Sequence, residues 1–248
     1  ASPMNPRALC FVGSLAFLAL VGESAGEATR PPNLLFILTD DQRFDALSCT
    51  GHPYLKTPHI DALARNGVIC DRAFVTTALC SPSRASFLSG QYAHVHGVLD
   101  NNTLLPAETP TFPKALQAAG YRTGFVGKWH MGGSTDAPQP GFDEWVSFAG
   151  QGVYYDPVLN VNGERVERKG YLTDMLGAYA ADFIDRNAEA PFLLYVSHKA
   201  VHQPFEPAER HKGAYAGETW PRPVTFPDTD ETYAGKPEWV RKQRPSWH

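Results

Sequence analysis

Three short apolar runs, each ending in residues that can do chemistry, constrain this chain more than any other feature. Asn33 to Leu38 ends in Thr39-Asp40-Asp41, Tyr121 to Val126 in Gly127-Lys128-Trp129-His130, and Phe192 to Val196 in Ser197-His198-Lys199-Ala200-Val201-His202. Such runs read as fully buried strands of a parallel sheet. Helical signals alternate with them. His59 to Asn66 is opened by Thr57-Pro58 and closed by Gly67. Ser81 to Ser89 carries Pro82 in its first turn and Gly90 beyond its end, the usual polarity of those two residues. Thr111 to Ala119 and Tyr171 to Asn187 are amphipathic. Val68 to Val75 is expected to be a strand, and Val158 to Val166, with Asn162-Gly163 at its centre, a hairpin. Alternating strands and helices imply an α/β fold, a mostly parallel sheet sandwiched by helices. In such sheets ligands bind beyond the carboxyl ends of the strands. Three strand ends with polar, reactive residues therefore point to one shared site.

The rest of the chain narrows the class. A formal net charge of −4, with no long run of one sign, argues against a nucleic-acid partner. Met4 and Arg7 precede an apolar stretch from Ala8 to Val21, followed by Ser24, Ala25, Gly26 and Ala28. That order predicts a secretory signal peptide over residues 1–28, with Ala1 to Pro3 as a probable scar. The stretch is short for a membrane span. The expected product is secreted or periplasmic, with no membrane contact after cleavage. Of four cysteines, Cys10 falls in the leader, leaving Cys49, Cys70 and Cys80. An odd count in an oxidising compartment leaves one thiol free or altered, with a Cys49–Cys70 bridge one option.

Two stretches carry chemistry on their residues alone. Adjacent carboxylates at Asp40 and Asp41 repel unless a positive group lies beside them. A hard divalent cation, Ca²⁺ or Mg²⁺, is the natural partner, although one Asp could equally cap the next element while the other faces water. Cys80 lies just before a helix, where the dipole favours an anion, and Arg84 follows one turn later. A buried thiol beside a solvated Arg is the bland alternative. His94 and His96 read as structural or rim residues. Asn101-Asn102-Thr103 fits a glycosylation sequon.

Cys80-Ser81-Pro82-Ser83-Arg84, continuing through Ala85-Ser86-Phe87-Leu88-Ser89-Gly90, resembles the maturation motif of the Cys-type sulfatases. The likeness runs from about Asn33 to the C-terminus. It takes in Asp40-Asp41, Thr57-Pro58-His59-Ile60-Asp61, Gly127-Lys128-Trp129-His130 and the segment around His202. The resemblance implies an alkaline-phosphatase-like fold and hydrolysis of a sulfate ester. Cys80 would be oxidised by a formylglycine-generating maturation enzyme, and the aldehyde hydrate would attack sulfur. Asp40, Asp41 and the matured Cys80 would ligate the metal, Ca²⁺ with Mg²⁺ as the other option. Arg84 would hold the hydrate, Lys128 the sulfate, and His130 would take a proton. His202 would stand near the leaving oxygen, and Lys199 would bind substrate or sit on the rim.

Phe148 to Pro157, with Tyr154 and Tyr155, resembles sulfatases acting on sulfated sugars, of the glucosamine-6-sulfatase type. The implied substrate is a sulfated small molecule or glycan, with the tyrosines available to stack on a sugar ring. Family members complete the metal site with a downstream Asp-Asn pair and a further Lys. No Asp-Asn-Gly follows His202, so residues 29–248 read as the N-terminal portion of the catalytic domain, incomplete at the C-terminus and of doubtful activity alone. Two rivals stand beside this reading: a phosphate mono- or diester hydrolase on the same scaffold, and a secreted, non-catalytic binding protein derived from it.

Overall fold

The computed structural model describes residues 30–220 and 229–243. The leader and Cys10 lie outside the described residues. Among the described residues no helix is long and apolar enough to cross a membrane.

Six strands form one sheet: β1 (Leu34–Leu38), β2 (Arg122–Lys128), β3 (Glu144–Phe148), β4 (Val158–Val161), β5 (Glu164–Glu167) and β6 (Phe192–Ser197). Their order is β1-β6-β2-β3-β4-β5. The β1–β6, β6–β2 and β2–β3 pairs are parallel, and β3–β4–β5 closes antiparallel. The sheet is therefore mixed with a parallel core, and the hairpin forms where Asn162-Gly163 predicts it. Asn162 supplies the positive φ of +53° that such a turn needs.

The principal helices are α1 (Pro58–Asn66), α2 (Cys80–Ser89), α3 (Ala93–His96), α4 (Phe112–Ala118) and α5 (Leu172–Arg186), with short α6 (Asp230–Tyr233) and α7 (Glu238–Gln243) near the end. They cover the central strands on both sides. On one face Leu172, Leu176, Ala180 and Phe183 of α5 pack against Val126, Leu194 and Val196. On the other, Ala85 and Leu88 of α2 meet Phe125, Trp145 and Tyr195. Leu172, Leu176 and Leu194 are fully buried, each contributing about 1.5–3 kcal/mol. The 2.0-residue period of β2 and β6 sends neighbouring residues to opposite faces, and both faces are covered, which is why Phe125 and Val126 in β2 and Phe192 to Val196 in β6 are apolar.

Three expectations need correction. β1 is not fully buried: it is the edge strand, and α5 does not reach it, so Leu35 and Ile37 are about half exposed. Val68 to Val75 is not a strand but an irregular segment lying against no sheet edge, with Val68, Phe74 and Val75 exposed. Its β-branched residues are interrupted by Asp71 and Arg72, and propensity without a partner does not make a strand. β3 is an unforeseen addition. All three described cysteines are free, so no Cys49–Cys70 bridge forms.

Candidate active site

The backbone first brings the strand ends together. Beyond β1 and β6 the chain stays paired, with Asp40 N–H donating to the Ala200 carbonyl at 2.9 Å and Val201 N–H to the Asp40 carbonyl at 2.8 Å. Helix α2 is set against them by its own first turn. Leu79 is the extended N-cap, so Cys80 is the first helical residue rather than the one before the helix. Ser81 N–H donates to Asn101 Oδ1 at 3.0 Å, and Ser81 Oγ to the His130 carbonyl. Pro82 occupies a position whose N–H has no helical acceptor, and Gly90 ends the helix at φ +68°. Because Asn101 spends its carbonyl oxygen on α2 and lines the cleft, its side chain caps a helix; a glycan at the sequon would have to share that amide.

Onto this frame come the charged side chains. Arg84, buried, donates through Nη1 to the Lys128 carbonyl at 2.7 Å and to Ser197 Oγ at 2.5 Å, while Nη2 lies 3.3 Å from Asp40 Oδ2. Lys128 Nζ is paired with the same Asp40 oxygen, lies 2.5 Å from Gln151 Oε1 and 3.8 Å from Cys80 Sγ. Lys199, also buried, donates to the Gln203 carbonyl at 3.0 Å and sits 4.8 Å from the Tyr154 ring centroid. Burial, then the Lys128 charge, pushes its pKa down. The buried set is thus three cations against one carboxylate, because Asp41 is exposed at the rim. Unbalanced buried positive charge is costly unless an anion joins it. That excess of positive charge favours an oxyanion as the cleft's ligand.

The histidines differ in state. His130, at φ +51°, is buried with Nδ1 unpartnered. Burial first, then Lys128 and Arg84, pushes its pKa down to about 4, so it is neutral at pH 7. His202 Nδ1 lies 2.7 Å from the Gln203 carbonyl, which can only accept, so Nδ1 carries the proton. Its Nε2 faces the cleft, 3.6 Å from Asp41 Oδ2. Tyr154 fixes this turn by donating to the His202 carbonyl at 2.6 Å; burial holds the phenol pKa up at about 12, so it remains a donor.

These groups surround an open cavity of about 550 Å³ lined by Asp40, Asp41, Cys80, Arg84, Gln151 and His202, among others. Lys128, His130 and Lys199 are buried and do not line it; Lys128 reaches its lining through Asp40, Gln151 and Cys80. Ligating atoms of Asp40, Cys80 and His202 all lie within 4.8 Å of one another, a possible metal site. The structure brings Asp40, Cys80, Arg84, Lys128 and His202 together, but the expected Asp40, Asp41 and Cys80 grouping is not what forms: His202 takes the third place, and Asp41 stands outside it at the rim, 3.6 Å from His202 Nε2. His96 is structural: Val98 N–H donates to its Nδ1 at 3.1 Å, leaving Nε2–H for Ser86 Oγ at 3.1 Å. Tyr154 does not offer a sugar platform. Tyr154 is buried against Tyr171 and Lys199, and the Tyr155 hydroxyl is tied to the Pro207 carbonyl at 2.9 Å. Sequence reasoning passed over Gln151, Asn101 and Ser197, whose side chains interact directly with Lys128, α2 and Arg84. Only the strand-end rule, applied to β3, could have raised Gln151.

Residues 32–235 match the family model described as Sulfatase. The chain is 36% identical over 243 residues to an N-acetylglucosamine-6-O-sulfatase of Bacteroides thetaiotaomicron, covering 96% of this chain and 42% of that protein. It is 33% identical to the human N-acetylglucosamine-6-sulfatase, covering 84% and 41%. A solved structure of a protein in complex with its substrate D-glucosamine-2-N,6-O-disulfate superposes with a TM-score of 0.78 at 36% identity, covering 86% of this chain and 42% of the other. The phosphonate monoester hydrolase of Agrobacterium radiobacter superposes at 0.58 with 26% identity, covering 77% and 45%. The chain spans about two fifths of the length of these two curated relatives.

Proposed function

The chain belongs to the sulfatase family, and from that premise we propose that its cleft is the nucleophile-bearing half of a site hydrolysing sulfate esters on a carbohydrate. The observation that carries this is the placement of Cys80 at the start of α2, opening into a cleft lined by Arg84 and Asp40, with Lys128 and Lys199 buried nearby and Asp40 the buried carboxylate among them. A tetrahedral dianion or monoanion ester suits that charge. The N-acetylglucosamine-6-sulfatase relatives support a 6-O-sulfated amino sugar as the substrate class.

Each residue has a defined task in this reading. Cys80 is oxidised by a formylglycine-generating maturation enzyme, and the aldehyde hydrate supplies an oxygen nucleophile and a route to expel sulfate. Arg84, locked by the Lys128 carbonyl and Ser197, holds the side chain at position 80 and offsets its negative charge. Lys128 binds a sulfuryl oxygen. His130, kept neutral at physiological pH, accepts the nucleophile's proton. His202 faces the leaving oxygen with Nε2, and serves as general acid in the form that carries a proton on Nε2 as well as on Nδ1, beside the Asp41 carboxylate. Lys199, held by Gln203, supports the anion subsite from behind.

The donors present fit one side of a hard-cation shell. Asp40 offers a carboxylate oxygen within the Asp40–Cys80–His202 cluster, Asp41 would add one from the rim, and oxidation of Cys80 would replace a soft sulfur with oxygen, the donor Ca²⁺ or Mg²⁺ prefers. These side chains would hold the ion, which when bound polarises sulfuryl oxygens. The leader composition of residues 1–28 supports export to the periplasm or outside the cell, and residues 29–248 form the N-terminal portion of the catalytic domain.

The test is mass spectrometry of the Cys80 peptide together with hydrolysis of 6-O-sulfated glucosamine by the protein that carries this chain. Formylglycine at position 80 and sulfate release are expected. An unmodified thiol made in a host with an active maturation system would sink the reading. The likeness to a phosphonate monoester hydrolase favours one alternative, phosphoryl-ester cleavage in the same cleft. Matched sulfate and phosphate esters separate the two, with the sulfate ester expected to be the faster.

A further inference from the structure

We propose that Gln151 is a substrate-contacting residue whose side-chain amide donates a hydrogen bond to a non-bridging sulfuryl oxygen; this rests on the sulfate-ester reading above and adds a donor to it. Gln151 follows β3, a fourth strand whose carboxyl end points into the cleft. Its backbone is fixed by a tight turn in which Gly152 N–H donates to the Ala149 carbonyl at 3.1 Å, with Gly150 at φ +56° and Gly152 at φ +64°. A Cβ at Gly152 would meet the Phe148 ring at 2.5 Å, so the turn presses against the core with no room to shift. Only glycine combines that φ with that approach.

The side chain is oriented by its neighbour. A lysine ammonium can donate but not accept, so the atom 2.5 Å from Lys128 Nζ must be the amide oxygen. That assignment leaves the amide nitrogen with its two N–H groups. Gln151 lines the cavity with Cys80, Arg84 and Asp40, and its Nε2 makes no hydrogen bond to protein among the described residues. A neutral donor is thus held at the mouth of a cationic floor, preorganised by Lys128 and adding no further charge to it. Such an amide suits an oxyanion, whose remaining lone pairs need partners once Arg84 and Lys128 are engaged.

The test uses the chain itself and inorganic sulfate. Side-chain amides of ¹⁵N-labelled protein are followed by NMR during a sodium sulfate titration, with Arg84 and His202 resonances as reporters of the cleft. The Gln151 NH₂ pair should shift and saturate with the same Kd as those reporters. Gln151→Glu keeps an oxygen for Lys128 but removes both donors, and should weaken sulfate binding by on the order of tenfold to a hundredfold, the range of a hydrogen bond to a charged group. If Arg84 and His202 respond while the Gln151 amide stays still, or if Gln151→Glu binds sulfate as tightly as the parent, the proposal is overturned and the anion-site reading stands. If no cleft resonance responds in the parent protein, both fall together. The amide shift needs no variant, so a misfolded Gln151→Glu does not blunt the test.

Discussion

Cys80 Sγ lies 3.8 Å from Lys128 Nζ, at the point where the first turn of α2 meets the end of β2. The thiol is partly exposed to the cleft and contributes little packing. Cys80→Ala should therefore leave urea stability within about 1 kcal/mol of the parent. In the protein that carries this chain, the same change should lower sulfate-ester turnover by on the order of 10³-fold or more, as loss of a covalent nucleophile does. Undiminished turnover would remove position 80 from the chemistry.

Lys128 is almost wholly buried and its ammonium is satisfied by Asp40 and Gln151. Lys128→Met keeps the volume and removes the charge. It leaves Asp40 with only Arg84 at 3.3 Å, and breaking one side of a buried pair costs about 3–5 kcal/mol. The double variant Lys128→Met with Asp40→Asn should cost less than the sum of the two single losses, because the Lys128–Asp40 contact can be lost only once, even though Arg84 then has no carboxylate beside it. Urea midpoints of the four proteins in the cycle measure it. Additive losses would mean that the two side chains are not coupled.

His130 gives a pH signature. Its pKa in the folded chain is about 4, against an ordinary value of 6.5, because burial, Lys128 and Arg84 all oppose the imidazolium. Between those values the unfolded chain binds a proton that the folded one does not, so stability falls as pH drops from 6.5 toward 4 and the loss is complete below. At about 1.4 kcal/mol per pH unit the contribution is on the order of 3 kcal/mol. His130→Gln should flatten this segment of the stability–pH curve, read as urea midpoints from pH 7.5 to 4. An unchanged slope would assign the acid loss to other groups.

Much of this site was legible because its parts share one rule. A parallel strand buried on both faces must be apolar until it leaves the sheet, and the first residues beyond it are free to be chemical; β2 and β6 follow this, and Lys128 and Lys199 sit where it puts them. The Pro82 and Gly90 signals bounded α2 to within a residue for the same local reason. The misses are tertiary. β1 has the sequence of a buried strand, yet its burial depends on what lies beyond its free edge. Val68 to Val75 has strand propensity and no strand to pair with. β3, only Glu144–Phe148, is too short for periodicity to distinguish from a turn, and missing it hid Gln151. Tyr154 could not be told from a surface aromatic until its contacts with Tyr171 and Lys199 were seen.

Gly127 explains why the lysine that follows it can be placed at all. It sits in β2 opposite Ser197 of β6, at φ +126°, and a Cβ there would fall well inside van der Waals contact with the Ser197 carbonyl. That close approach is what lets Ser197 Oγ donate to the Lys128 carbonyl at 2.9 Å while both accept from Arg84. Gly127→Ala therefore faces two costs, a backbone conformation that L-residues avoid and a collision with backbone that cannot swing away. Gly163, at φ +99° in the β4–β5 turn, isolates the first, since a Cβ there meets nothing within 4 Å. Gly163→Ala should cost about 1–2 kcal/mol, and Gly127→Ala clearly more, above about 3 kcal/mol, as overpacking adds to strain. Sulfate binding by the soluble fraction of Gly127→Ala should also weaken, because Arg84 loses its two acceptors' geometry; Gly163→Ala should bind as the parent does. Equal destabilisation of the two variants, measured by urea unfolding, would show that strand proximity at Gly127 does not shape the site.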